Sequence, residues 1–193
     1  MTGTPDPRDM YARALDQTQT IIEKIEPAQL DDPTPCADFD VRALLSHMVG
    51  GLNRAATIGE GGDGLAVSVR ADGVPDDGWP DAFRRAGARV RAAWADDAKL
   101  DTPVRVPWGQ VPGRGALTGY VQEVLTHGWD LAKATGQPAE LDPELAEFAL
   151  AFAHRVLPPD PRGTDAIPFG PVAAAPPDSG PYTQLAAWLG RTP

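Results

Sequence analysis

The chain has 193 residues, enough for one domain with a core of its own, and 42% of them are hydrophobic, an ordinary share for a globular protein. Its single cysteine, Cys36, excludes an internal disulfide and any multi-cysteine zinc site, and fits a reducing cytoplasm. A formal net charge of -10 repels a phosphate backbone, and no run of about 18 apolar residues exists to span a bilayer, so neither a nucleic-acid nor a membrane partner is expected.

The opening MTGTPDPRDMYARAL lacks a basic start followed by an apolar stretch, so no secretion signal is expected. A first helix is predicted over 8–26, where Tyr11, Ala14, Thr18, Ile21, Ile22 and Ile25 recur at helical spacing and Pro27 stops the run. After the loop QLDDPTPCADFD, Asp38 or Asp40 can cap a second helix whose inward set is Val41, Leu44, Leu45, Met48, Leu52 and Ala55, fading near Gly59. Residues 60–78, rich in Gly and Asp, read as a long mobile loop. A third helix starts near Pro80, runs to about Asp97 and buries Phe83, Val90 and Trp94. Its arginines, Arg84, Arg85, Arg89 and Arg91, are spread around the helix and sit near Asp81, Asp96 and Asp97, so they form no basic stripe.

Val104, Val106 and Trp108 then alternate, which suggests a short strand or hairpin. A fourth helix is predicted over 117–135, ended by Gly136. A fifth begins after Asp142-Pro143, ends before Pro158-Pro159 and turns Leu145, Phe148, Phe152 and Val156 inward. The proline-rich remainder should wrap over the bundle in extended form and finish in a short helix around 182–189. With no internal repeat and no second core, 1–193 is expected to form a single all-α domain, a helical bundle with a short hairpin or extended segment and a wrapping C-terminal tail.

Among the three histidines, His127 lies in EVLTHGWD on the fourth helix, with Glu123 one turn earlier. Positions i and i+4 share a helix face, so this carboxylate and imidazole can converge on one ion. The helical wheel puts Leu117, Tyr120, Val124 and Leu131 on the buried side and Glu123 and His127 at its border. A carboxylate there calls for a charged partner or a metal, although the same spacing also occurs in ordinary helix-surface pairs. His47, in LLSHMVGGL on the second helix, flanks the apolar set. Taken by itself it reads better as a histidine satisfied by a neighbouring helix. Gly50 and Gly51 after it each cost a helix about 1 kcal/mol relative to alanine, so something is expected to pack close to the backbone there. Two ligands from one helix and one from another would make a three-ligand, open metal site. His154 points away from the fifth helix's inner face and reads as surface. Asp130 either orients the His127 imidazole or is a solvated helix charge. Cys36 is read first as a structural thiol and second as one that approaches the pocket.

The strings TPCADFDVRALLSHMVGG, LTGYVQEVLTHGWDLAKATGQP, IPFGPV and LAAWLGRTP, in that order, resemble the mycothiol-dependent maleylpyruvate isomerase N-terminal-like group of the DinB-like metal-binding superfamily over nearly the whole chain. The resemblance implies a DinB-like four-helix bundle with a metal held by His47, Glu123 and His127. It implies zinc as the divalent metal, with nickel, iron or cobalt also suited to two nitrogens and a carboxylate. It further implies mycothiol as thiol co-substrate in a transferase or isomerase reaction on a small electrophile. The maleylpyruvate isomerase it resembles is longer, with a second domain after the bundle that helps form the active site. This chain is expected to end where that domain begins, so maleylpyruvate isomerisation itself is not expected. The competing readings are a non-catalytic metal-binding or stress-related bundle, with a homodimer as the candidate assembly, and a helical scaffold without metal. Because histidine ligates as the neutral imidazole, metal affinity is expected to fall below about pH 6.

Overall fold

A computed structural model describes residues 5–164, 167 and 169–193. The start of the sequence on which the absence of a secretion signal was read includes Met1–Thr4, and the wrapping tail with its IPFGPV string includes Asp165, Ala166 and Pro168; these lie outside the described residues.

Helix α1, Pro7–Ile22, begins where the Asp6 carboxylate accepts from the Arg8 amide at 2.9 Å and Pro7 takes a first-turn position. It stops short of the expected end at Glu26: the chain unwinds after Ile22 and enters a short 3-10 turn at Pro27–Gln29. Helix α2, Val41–Gly59, is capped by Asp40, whose Oδ1 accepts from Ala43 N at 2.7 Å. Helix α3, Trp79–Ala93, ends before the expected Asp97, and the buried Trp94 that follows donates its indole N–H to Ala55 O at 3.0 Å. A single-turn helix α4, Ala98–Asp101, was not anticipated. Strands β1, Pro103–Val106, and β2, Gly109–Pro112, form an antiparallel hairpin with Val106 opposite Gly109. Trp108 therefore sits in the turn, 47% exposed, and does not extend the inward alternation of Val104 and Val106.

Helix α5, Gly113–Ala134, starts earlier than the expected Leu117 and is closed by Gly136 at φ +67°. Gly113 sits against the Lys99 carbonyl and Trp94: an added Cβ would collide with Lys99 O and lie 2.8 Å from the indole, so this glycine is a packing position inside the helix. Helix α6, Pro143–Val156, buries Leu145, Ala146, Ala149 and Ala153, while Val156 is exposed and Phe148 and Phe152 flank the contact. The expected aromatic face is thus rotated: the alanine side permits close approach to α5 and α7. His154 is exposed as expected, with its ring against Trp188 at 4.2 Å between centroids. The tail ends in α7, Pro181–Trp188, whose first turn gives the Tyr182 and Thr183 amides to the Glu140 carboxylate at 3.2 and 2.9 Å.

Four helices close a ring: α1 packs on α5, α5 on α2, α2 on α3, and α3 back on α1. The apolar sides of these helices, with those of α6 and α7, form one connected core that includes Leu44, Leu45, Leu52, Phe83, Leu117 and Trp129. No described helix is long and apolar enough to cross a membrane.

The stretch read as a mobile loop is tied down. Ser46 Oγ donates to Ala71 O at 2.9 Å and accepts from Ala71 N at 3.1 Å, and Arg54 Nη2 donates to Val67 O at 2.9 Å. This return strap runs across Gly50, where an added Cβ would lie 2.5 Å from Val69 O and 2.6 Å from Arg70 N. The expected close approach at the glycine pair is therefore present, and it inverts an ordinary mutational sign. Helix propensity favours alanine over glycine by about 1 kcal/mol, but overpacking against fixed backbone costs about 1–3 kcal/mol. Gly50→Ala is expected to lower stability, read as a reduced urea midpoint at unchanged slope; a raised midpoint would mean that the strap moves aside freely.

Candidate metal centre

The crossing of α2 and α5 brings the nominated residues together. His47 comes from α2, Glu123 and His127 from successive turns of α5, and one ligand atom from each lies within 4.8 Å of the other two. His47 Nε2 and Glu123 Oε1 are 3.3 Å apart. Two donors about 2.1 Å from one tetrahedral ion lie about 3.4 Å apart, so this spacing matches a shared ion. It equally permits a direct imidazole–carboxylate hydrogen bond. The histidine rings meet edge to face, with centroids 5.2 Å apart and planes at 85°. Their side chains retain 22% exposure at His47, 30% at Glu123 and 12% at His127, so the cluster is partly covered and reachable.

Gly51, one turn beyond His47, makes room for the carboxylate: a Cβ there would lie 3.2 Å from Glu123 Oε1. The glycine pair thus serves two neighbours, the strap on one side and the Glu123 carboxylate on the other. Phe39 stacks on His47 at 5.2 Å and helps hold its ring plane. Burial pushes the Glu123 carboxyl up, but the hydrogen bond to His47 and the fields of His127, His47 and Arg54 outweigh it, leaving the group below the usual carboxylate range.

Asp130 is fully buried, which selects the orienting role over the solvated charge. Its Oδ2 lies 3.1 Å from His127 Nδ1. A carboxylate held below its usual range only accepts, so the hydrogen bond assigns the proton to Nδ1 and leaves the Nε2 lone pair for a ligand. Arg191, from the end of the chain, donates Nη2 to Asp130 Oδ2 at 2.9 Å and Nε to Oδ1 at 3.2 Å. Burial pushes Asp130 up, but the bonds from His127 and Arg191 more than reverse this. Arg191 carried no role in the sequence reading beyond its place in LAAWLGRTP. Only its pairing with a buried acid reveals one.

Cys36 is half-buried, and its sulfur joins His127 and Asp130 in a second group within 4.8 Å. Burial pushes its thiol up, and the Arg191 charge pulls it down by less. This second group would have to recruit Asp130 away from Arg191, so the His–Glu–His group is the better formed of the two.

Tyr11 of α1 and Tyr120 of α5 line the cavity at the cluster with Met48, Gly51, Leu52 and Val124. That cavity holds about 10 Å³, near the minimum for one water-sized guest. Both phenols are buried, and neither hydroxyl has a hydrogen-bond partner among the described residues. The sequence placed both tyrosines on buried faces but gave no sign that their hydroxyls stay unpaired. A larger cleft of about 490 Å³, lined by Glu60, Asp63, Trp94, Lys99 and Arg105 among others, shares no residue with the cluster, and no metal-ligand grouping among the described residues falls in it.

Fold and site together define a mostly helical protein whose bundle carries two histidines and a carboxylate where α2 crosses α5. The sequence matches the family described as "Mycothiol maleylpyruvate isomerase N-terminal domain" over residues 11–132, and the chain belongs to that family. An uncharacterized protein of Mycobacterium tuberculosis, matched in two strains, is 35% identical over 187 residues, covering 97% of this chain and 98% of that protein. Among solved structures, the fold matches the mycothiol-dependent maleylpyruvate isomerase and a histidine-to-alanine mutant of it, each with a TM-score of 0.63. Those matches cover 78% of this chain and 68% of theirs at 14% and 13% identity, a likeness of fold.

Proposed function

We propose that this chain, as one DinB-like domain, holds a divalent ion through His47, Glu123 and His127 and uses a small thiol of the mycothiol kind in a transferase or isomerase reaction on a small electrophile. The observation that carries the reading is the convergence of two imidazoles and a carboxylate from two helices, with His47 Nε2 and Glu123 Oε1 3.3 Å apart. Two nitrogens and one carboxylate leave room for an outside ligand and suit zinc best, with nickel, iron and cobalt as alternatives. When bound, such an ion supplies Lewis-acid chemistry that lowers the pKa of a coordinated thiol. Asp130 keeps the His127 proton at Nδ1, Arg191 keeps Asp130 ionised, and Phe39 holds the His47 ring. Tyr11 and Tyr120 wall the cavity against bulk water. The single cysteine supports a cytoplasmic setting, where low-molecular-weight thiols stay reduced.

The test is incubation with zinc, mycothiol and a panel of electrophiles. Thiol consumption that depends on metal and disappears on chelation is expected. Its absence across the panel would favour the second reading, a non-catalytic metal-binding or stress-related bundle, for which the confined cavity of about 10 Å³ speaks. Elemental analysis of untagged protein separates both from a metal-free scaffold.

A further inference from the structure

We infer that the hydroxyls of Tyr11 and Tyr120 form a paired donor site beside the His47–Glu123–His127 cluster, which receives a carbonyl or carboxylate oxygen of the ligand. The inference rests on the metal reading above and extends it to the chemistry of the substrate. The two phenols approach from different helices of the ring and face the same cavity as Glu123 and His127. Their rings lie nearly parallel, 12° between planes and 6.4 Å between centroids. Both hydroxyls are buried in the wall of the cavity that Glu123 also lines, yet neither is bonded to it or to any other described group. Burial, followed by Glu123, pushes both phenols up, so each keeps its proton and acts as a neutral donor.

A pair of unpaired O–H donors in an apolar wall of Met48, Leu52 and Val124 is not explained by packing, since phenylalanine would fill the same space without stranded polar atoms. The donors are complementary to oxygen lone pairs and only weakly to sulfur. An electrophile that presents a carbonyl or carboxylate oxygen therefore has the stronger call on them, and the sulfur of a thiol the weaker one. Trp108, in the hairpin turn, packs edge-on against Tyr120 with centroids 5.3 Å apart and fixes that ring from outside.

The experiment uses the full chain loaded with cobalt(II), whose visible spectrum reports added ligands. Acetate is the oxygen probe and ethanethiol the sulfur probe. The double variant Tyr11→Phe/Tyr120→Phe is expected to bind cobalt as the unaltered chain does, to lose about tenfold or more in acetate affinity, and to bind ethanethiol unchanged. Equal acetate affinity in both proteins overturns the inference, as does an equal loss of acetate and ethanethiol binding. Failure of the unaltered chain to bind acetate also overturns it. Failure of the unaltered chain to bind cobalt, read before any probe is added, overturns the metal reading and this inference with it. A second measurement needs no variant. The chain has three tyrosines, and Tyr182 is engaged by Gln17 at 2.5 Å, so a tyrosine absorption difference on adding acetate reports Tyr11 and Tyr120. That difference is expected, and its absence when acetate binds overturns the inference.

Discussion

His127→Ala is expected to lower zinc affinity by more than about 100-fold, because even the partners that merely orient a ligand are worth about 10–100-fold. The substitution removes a donor and also strips Asp130 of one of its two hydrogen-bonding neighbours. Arg191 remains on Asp130, so the buried carboxylate keeps a counter-charge and the bundle should stay folded. Competition against a chelator, alongside a circular-dichroism check of the fold, reads the result. His127 belongs to both candidate donor groups, so two further variants separate them. His47→Ala breaks only the His–Glu–His group and should reproduce most of the loss. Cys36→Ser breaks only the Cys–His–Asp group and should leave affinity close to that of the unaltered chain. The opposite pattern would move the metal to the Cys36 side of His127.

Asp130→Ala is expected to cost about 3–5 kcal/mol of folding stability, the range for stripping one partner from a buried ion pair. Asp130 is fully buried and Arg191 retains 11% exposure, so the guanidinium left behind would find little water. For a chain of this size each kcal/mol is worth about 2–4 °C in melting temperature, so thermal unfolding reads the loss directly. Replacing both partners by leucine should recover much of it, since an apolar pair of similar volume is often neutral. The pH dependence has a definite sign. Asp130 has a lower pKa folded than unfolded, so its contribution is complete above the unfolded value of about 3.9 and is lost as pH falls through the folded one. The unaltered chain should therefore lose stability more steeply in acid than Asp130→Ala. A variant whose stability matches the unaltered chain at neutral pH would show that the pair contributes nothing net.

The helices were legible wherever apolar spacing and a cap agreed. Asp38 or Asp40 before Val41, and Asp142 before Pro143, marked starts that the structure keeps, with Asp40 as the cap of α2. Glu123 and His127 could be paired from helical spacing alone because the relation is local. His47 needed the resemblance, since nothing local says which helix will cross α5 at Glu123. Elements were misread where a long-range contact decides. The 60–78 stretch has the composition of a loop, yet Ser46, Arg54 and the bare backbone at Gly50 fasten it. Gly113 lay ahead of the expected start of its helix, yet it packs against Lys99 and Trp94 within α5; on α6 the expected Leu145 is buried, but alanines rather than Phe148, Phe152 and Val156 complete the inner face. Trp108 shared an alternating pattern with Val104 and Val106, but the turn claimed it. Arg191 and the two phenols were invisible for a related reason: a salt bridge over 61 residues and a missing hydrogen bond are properties of the assembled molecule.

If the ion binds as proposed, the bond from Arg191 to Asp130 links the tail to the metal thermodynamically. Docking of the segment that carries Arg191 adds to the bonds that keep Asp130 ionised, and Asp130 in turn bonds the Nδ1 of His127. Whatever factor tail docking contributes to metal affinity, metal binding must return to tail docking, because the two equilibria share one coupling free energy. A loaded protein should thus hold its tail more tightly than an empty one, and a ligand that pries Arg191 loose would release metal without touching any of the three donors.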